Sequence, residues 1–232
     1  MNIETRQTIY MGINFIFTPM PGLDRKTLNA FQNALDNAGV EFKNAEQTNE
    51  RQITVTRETP TPLNISISAI PPALGQLIVI SPRQGSTMEM FIKEIEAVIN
   101  AYGLTWPVPG QVIHTDATFR DLFESTGLHA FQELWEDRLK QPKQALNPLG
   151  RPVLGGGLRL VMPPQPNDPT PTQIEVKIES YLQDSRKFFI ETTLAWPQSL
   201  PPGVNLNPQL KLKQLDEYIE KSVLVFARGD QA

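Results

Sequence analysis

The feature that most constrains this chain is a strict alternation of apolar and polar residues that recurs in separate short segments. Ile9, Met11, Ile13, Phe15 and Phe17 share one side of an extended backbone, and Thr8, Tyr10, Gly12 and Asn14 share the other. Ile53 and Val55 alternate in the same way, as do Leu63, Ile65, Ile67 and Ala69, then Leu158, Leu160 and Met162, and then Ile174, Val176 and Ile178. Phe188, Ile190, Thr192, Leu194 and Trp196 form the last such set. A period of two is that of a β-strand with one buried face. Strands of this kind build a mostly antiparallel sheet with one face on the core and the other open to water or to a partner. Gln76 to Ile80 is apolar on both faces and reads as a central strand.

Between the strands lie helical patterns. Asp24 is placed to cap a helix bearing Leu28, Phe31 and Leu35, with Gly39 as its stop. Ser86-x-x-Glu89 reads as a capping box before Phe91, Ile92, Ile95, Val98, Ile99 and Tyr102. After a short strand at 111–114, Thr115 or Asp116 is expected to cap a helix carrying Phe119, Leu122 and Phe123. Asn207, followed by Pro208, starts a last helix with Leu212, Leu215, Ile219, Val223 and Phe226 on its stripe. Trp106-Pro107-Val108-Pro109-Gly110 is the natural joint, dividing the chain into 1–104 and 105–232. Each part reads strand, helix, three strands, long amphipathic helix. The expected fold is α+β, with long amphipathic helices on one sheet face. Two similar β-α-β-β-β-α halves either stay separate or close as a single domain.

Composition narrows the chemistry. There is no Cys, which excludes disulfides, thiolate metal sites and cysteine nucleophiles. There are two His, His114 and His129, too few for an imidazole-rich metal centre. A net charge of −4 argues against a large nucleic-acid footprint. The start of the chain lacks a basic stretch leading to an apolar core and cleavage site, and no apolar run approaches the ~20 residues of a membrane helix. The expectation is a cytoplasmic protein without membrane contact. Pro is high at 21 residues, and five of them fall in the segment 163–171, which reads as an extended surface loop.

Three pieces carry a resemblance. They are IYMGINFIF at 9–17, QLIVIS ahead of MEMFIKEIEAVINAY, and LKQLDEYIEKSVLVFARG at 212–229. In element order the chain resembles a sporadically distributed, functionally uncharacterised family of bacterial proteins of about this length. It departs in the middle, where His114-Thr115-Asp116 sits near the place of the family's aromatic-rich central strand. The resemblance implies a fold class and carries no activity.

Polar constellations offer two directions. His114 and Asp116, with Asp121 and Glu124 a helical turn further on, could give an imidazole and carboxylates to a water or a metal, the kit of a hydrolase or nuclease. The blander reading makes Asp116 a helix cap and puts Asp121 and Glu124 on a solvent face, and it is favoured. His129 and Glu133 are four apart but lack the second imidazole of a zinc helix. Gly155-Gly156-Gly157 precedes a strand rather than a helix, which suits a hinge or bulge better than a phosphate cradle. Arg151, Arg159, Arg186 and Lys187 beside Phe188 and Phe189 would suit single-stranded nucleic acid, but Glu175, Glu179, Asp184 and Glu191 share those segments, so nucleic acid is not expected.

The favoured expectation is therefore a non-catalytic protein-binding or assembly subunit of a bacterial cytosolic complex, accessory or defence-related on the analogy with the family. It would bind a protein partner or a second copy of itself, with no cofactor and no metal. Glu175, Lys177, Glu179, Tyr181, Arg186 and Trp196 are the candidate contact residues. The alternatives are the hydrolase or nuclease, and a small-ligand-binding protein with an apolar cavity between sheet and helices.

Overall fold

The first alternating segment becomes the axis of the fold. β1 (Asn2–Thr18) turns Met11, Ile13, Phe15 and Phe17 inward, each at most 4% exposed. Asp24 begins α1 (Arg25–Asn37) as expected: its carboxylate accepts the Thr27 N–H at 2.7 Å, and its own N–H donates to the Thr27 hydroxyl at 2.9 Å. The chain then meanders back through β2 (Asn44–Asn49), β3 (Gln52–Arg57), β4 (Leu63–Ile70) and β5 (Leu74–Ser81) to pair with β1. α2 (Met88–Thr105) starts one residue later than the sequence suggests. Its cap is Thr87, whose hydroxyl accepts the Met90 N–H at 3.2 Å. This computed structural model describes residues 1–82, 85–106, 110–168, 170–197, 199–201 and 205–229; Pro107–Val108–Pro109, the expected joint, lies outside them, as do parts of the Pro-rich loops.

The main departure follows that joint. Residues expected as a short strand plus a capped helix form one strand, β6 (Gln111–Glu124). Its inward face carries Thr115, Ala117, Phe119, Asp121 and Phe123, all buried. Thr115 and Asp116 therefore cap nothing. Phe119, Leu122 and Phe123 imitate helical spacing, but Leu122 points to the opposite face from Phe119 and Phe123, where it pairs with Phe189. After β6 comes a short helix, α3 (Ala130–Gln132), which continues as a π-helical turn over Glu133–Arg138, and a 3-10 helix over Lys143–Leu149. β7 (Gly157–Met162), β8 (Gln173–Ser180) and β9 (Lys187–Trp196) complete the strands. Asn207 and Pro208 start α4 (Pro208–Tyr218) as expected, and a π-helical turn over Ile219–Val223 leads into α5 (Leu224–Arg228).

Among the described residues nine strands form one antiparallel sheet in the order β2-β3-β4-β5-β1-β6-β9-β8-β7. The ladder between β1 and β6 carries the sheet across the expected joint, with Met11 opposite Phe119, Ile13 opposite Ala117 and Phe15 opposite Thr115. Outward from β1 and from β6 the strands run back in reverse chain order on each side. The inward strand residues share one core with Phe31 and Leu35 of α1, Phe91 and Ile95 of α2, and Leu212 and Leu215 of α4. Trp106 belongs to this core edge: its ring lies 4.9 Å from Tyr102 and 5.6 Å from Phe31, and its indole N–H donates to the Gly22 carbonyl.

One ionic tie fixes the sheet's centre. The β1–β6 register shifts between Thr8 and Tyr10, and this bulge turns Thr8 and Arg6 to the inward side. There the Arg6 guanidinium donates to both Asp121 carboxylate oxygens at 3.2 Å, and the Thr8 hydroxyl donates to Asp121 at 2.6 Å. Arg6 also meets Asp216 of α4 at 2.8 Å. Asp121 is fully buried, and Arg6 and Thr8 supply its hydrogen bonds. Removing one member of a buried ion pair strands the other in low dielectric, at a cost of about 3–5 kcal/mol. Arg6→Ala is expected to lower unfolding stability by about that much, whereas Arg6→Lys, which keeps the charge but loses the fork, costs less. Urea unfolding followed by circular dichroism checks both; near-equal losses would show that the retained charge contributes nothing without the guanidinium fork.

Candidate binding face

The polar half of each strand's alternation lands on the side of the sheet away from the helices. A single row runs straight across five strands there. Tyr10 of β1 stands opposite Arg120 of β6, Arg120 opposite Glu191 of β9, Glu191 opposite Lys177 of β8, and Lys177 opposite Arg159 of β7. Arg120 donates to Glu191 at 2.6 Å, and Lys177 also donates to Glu191. Arg159 grips Glu175 with two bonds of 2.8 and 3.1 Å. The Arg120 guanidinium also lies 4.4 Å from the centre of the Tyr10 ring, a cation–π contact. Gly12 makes that possible. A Cβ at Gly12 would come within 2.7 Å of the Tyr10 hydroxyl, so only glycine lets the ring lean along the sheet.

Neighbouring rows differ in character. The Thr118 and Thr193 hydroxyls bond to each other at 2.8 Å. The Asn14 amide donates to Asp116 at 2.7 Å, and Nε2 of His114 lies 3.2 Å from the same carboxylate. Across β5, β4 and β3 the face turns to uncharged groups, with Gln52, Thr54, Ser66 and Gln76 around Ile78 and Ile80.

Charge on this face is held in place by its partners. Burial alone would push the Glu191 carboxyl up, but the hydrogen bonds from Lys177 and Arg120 outweigh it and hold the carboxyl below its ordinary range. The hydrogen bond from Arg159 lowers Glu175 in the same direction. The bond to Glu191 raises Lys177. Burial raises the Tyr10 phenol.

The sequence-derived candidates separate in space. His114 and Asp116 lie together on the open face. Asp121 points to the core and serves Arg6. Glu124 is exposed at the far end of β6. Along a strand, Asp116 and Asp121 are about 16 Å apart at ~3.3 Å per residue, and they face opposite ways. The four residues do not form one site, and among the described residues no group of three His, Asp or Glu could hold a metal ion. Glu175, Lys177 and Glu179 are on the open face as expected. Tyr181 lies just past β8, with its ring stacked 6.4 Å from Phe189, and Arg186 is tied to Asp184 within the turn. Trp196 goes to the core instead, 3% exposed, with the Lys211 ammonium 4.2 Å from its ring centre. Burial lowers that Lys211 amine to about 8. Glu133 turns away from His129 and accepts Ser125 Oγ at 2.6 Å and the Thr126 N–H at 2.8 Å. Among the three loop glycines, Gly157 opens β7 where a Cβ would lie 2.2 Å from the Ile178 carbonyl, a close approach of strands rather than an anion cradle.

Sequence reasoning missed Tyr10, Arg120 and Glu191 as a row. Arg120 falls within the segment whose spacing reads as a helix; the period of two through Ala117, Phe119 and Phe123 places it on the open face. No family model matches the chain, and no curated protein matches it either. No described helix is long and apolar enough to cross a membrane.

The row has a pH signature. A carboxyl whose folded pKa lies below its unfolded value stabilises the fold while ionised. That contribution is fully present above the ordinary value of 4.5 and is lost as pH falls through the lowered one. Glu191→Gln, which loses charge-assisted bonds from two cations, is expected to cost about 1–2 kcal/mol at neutral pH. Its melting temperature should approach that of the wild type below pH 4. A gap that stays constant across this range would show that Glu191 acts by packing alone.

Proposed function

We propose that this chain is a non-catalytic binding subunit that contacts a protein partner through the open face of its sheet. The row Tyr10–Arg120–Glu191–Lys177–Arg159 carries the reading. Its cations and carboxylate are already paired and oriented across five strands. A pre-paired mixed-charge surface fixes register and rejects wrong partners more than it adds raw affinity. The expected setting, on the analogy of the resembled family, is an accessory or defence-type assembly of the bacterial cytosol.

The hydrolase or nuclease reading needs convergent acid and base groups, and the separation of Asp121 from His114 and Asp116 counts against it. The small-ligand reading places a cavity between sheet and helices. A cavity of about 510 Å³ is instead lined by Lys143, Leu146, Arg151, Val153 and Leu154, all from the segment between α3 and β7.

Native mass spectrometry of the protein purified gently from its host tests the proposal. A stoichiometric protein is expected to stay bound to the wild type and to be lost from Thr118→Arg, which raises a long cation in the middle of the face, beside the ion row. A partner retained equally by Thr118→Arg and Thr193→Lys would move the site off this face. Turnover of an ester or nucleic acid that vanishes in His114→Gln would replace the reading with the enzymatic one.

A further inference from the structure

The two edges of the sheet are unlike. β2 is built from Asn44, Ala45, Glu46, Gln47, Thr48 and Asn49, with no large apolar side chain, and Gln47 is tied by its amide to the Leu23 carbonyl. Polar, charged composition of this kind guards an edge against pairing. β7 has Leu158, Leu160, Val161 and Met162 among its six residues. Its one charge, Arg159, does not guard the edge, because both of its bonds draw it back over β8 to Glu175. Val161 is 55% exposed.

The hydrogen-bond phase shows which backbone groups are free. The Ser180 N–H donates to the Gly156 carbonyl at 3.0 Å, and the β7–β8 register continues from that pair. In an antiparallel ladder, bonded pairs recur every second residue. Leu158, Leu160 and Met162 therefore spend their backbone groups on β8. Gly157, Arg159 and Val161 point theirs outward, and among the described residues no backbone group meets them.

We infer that β7 pairs antiparallel with β7 of a second copy, extending the sheet across a two-fold axis through Leu160. The strand is self-complementary in that register. Leu160 faces its own copy, and Leu158 faces Met162 on the core side. On the open side Arg159 faces Val161, so the like charges do not oppose each other. Arg159 and Val161 exchange backbone bonds across the joint. The inward side chains of β7 are already half-buried against the core, so each copy brings an ordered edge. Six residues a side cover less than the standard interface of about 1,600 Å², so the dimer should dissociate on dilution. This edge shares Arg159 with the open-face row but pairs through its backbone rather than its side chain, and the inference does not depend on the binding proposal.

The test uses the full chain and its lack of Cys. Light scattering over a concentration series should show mass rising from 26.1 kDa toward twice that value. Val161→Pro deletes an outward N–H, a change that edge strands tolerate. It should weaken dimerisation at least tenfold while leaving the circular dichroism and melting temperature near wild type. Leu160→Cys should form a disulfide with itself under mild oxidation, because directly opposed residues of a non-hydrogen-bonded pair lie close enough to bridge. Thr118→Arg should dimerise like the wild type. A monomer up to the solubility limit overturns the inference, and so does a dimer indifferent to Val161→Pro in which Leu160→Cys fails to crosslink.

Discussion

Everything else in this structure depends on the antiparallel ladder between β1 and β6. It lies at the middle of the sheet and joins the two meanders. The ladder has a local difficulty, since one inward position on β6 is Asp121, a carboxylate in the core. The bulge in β1 solves it by turning Arg6 and Thr8 to the same side. The guanidinium then reaches on to Asp216 of α4, so a single cation binds two strands and the C-terminal helix together. A buried charge of this kind adds little net stability over an apolar substitute, but it specifies one register. A slip of one residue along β6 would bury Arg120 and expose Phe119.

That register also makes the open face. With β1, β6, β9, β8 and β7 locked in phase, Tyr10, Arg120, Glu191, Lys177 and Arg159 fall into one line. The core tie and the surface row are thus set by the same alignment, one on each side of β6.

Much of this architecture is legible in the sequence. Period-two segments at 8–17, 52–56, 63–69, 158–162, 174–178 and 188–196 are strands, and Asp24 and Asn207 cap the helices they precede. The failures have physical causes. β2 shows no alternation because its inward residues are Ala45 and Gln47, and pairing with β3 makes it a strand. β6 hides its period of two because Thr115 and Asp121 interrupt its apolar face while Leu122 adds an apolar residue to the other. The resulting spacing of Phe119, Leu122 and Phe123 mimics a helix. An inward Asp cannot be recognised until its Arg is known, and Arg6 lies 115 positions away. For the same reason the candidate cluster of His114, Asp116, Asp121 and Glu124 dissolved: it was a cluster only on a helix. Trp196 looked like an interface aromatic, yet its place in the alternation with Leu194 and Ile190 already put it on the core side.

The central claim is that the β1–β6 ladder makes one cooperative sheet from the two parts of the chain. Native-state amide hydrogen exchange, resolved by residue, tests it most directly. The account predicts that the central amides of β1, β5, β6 and β9 share the slowest exchange, with one common opening free energy equal to that of global unfolding. Two distinct plateaus, one for residues up to 104 and another for those beyond 110, would contradict it.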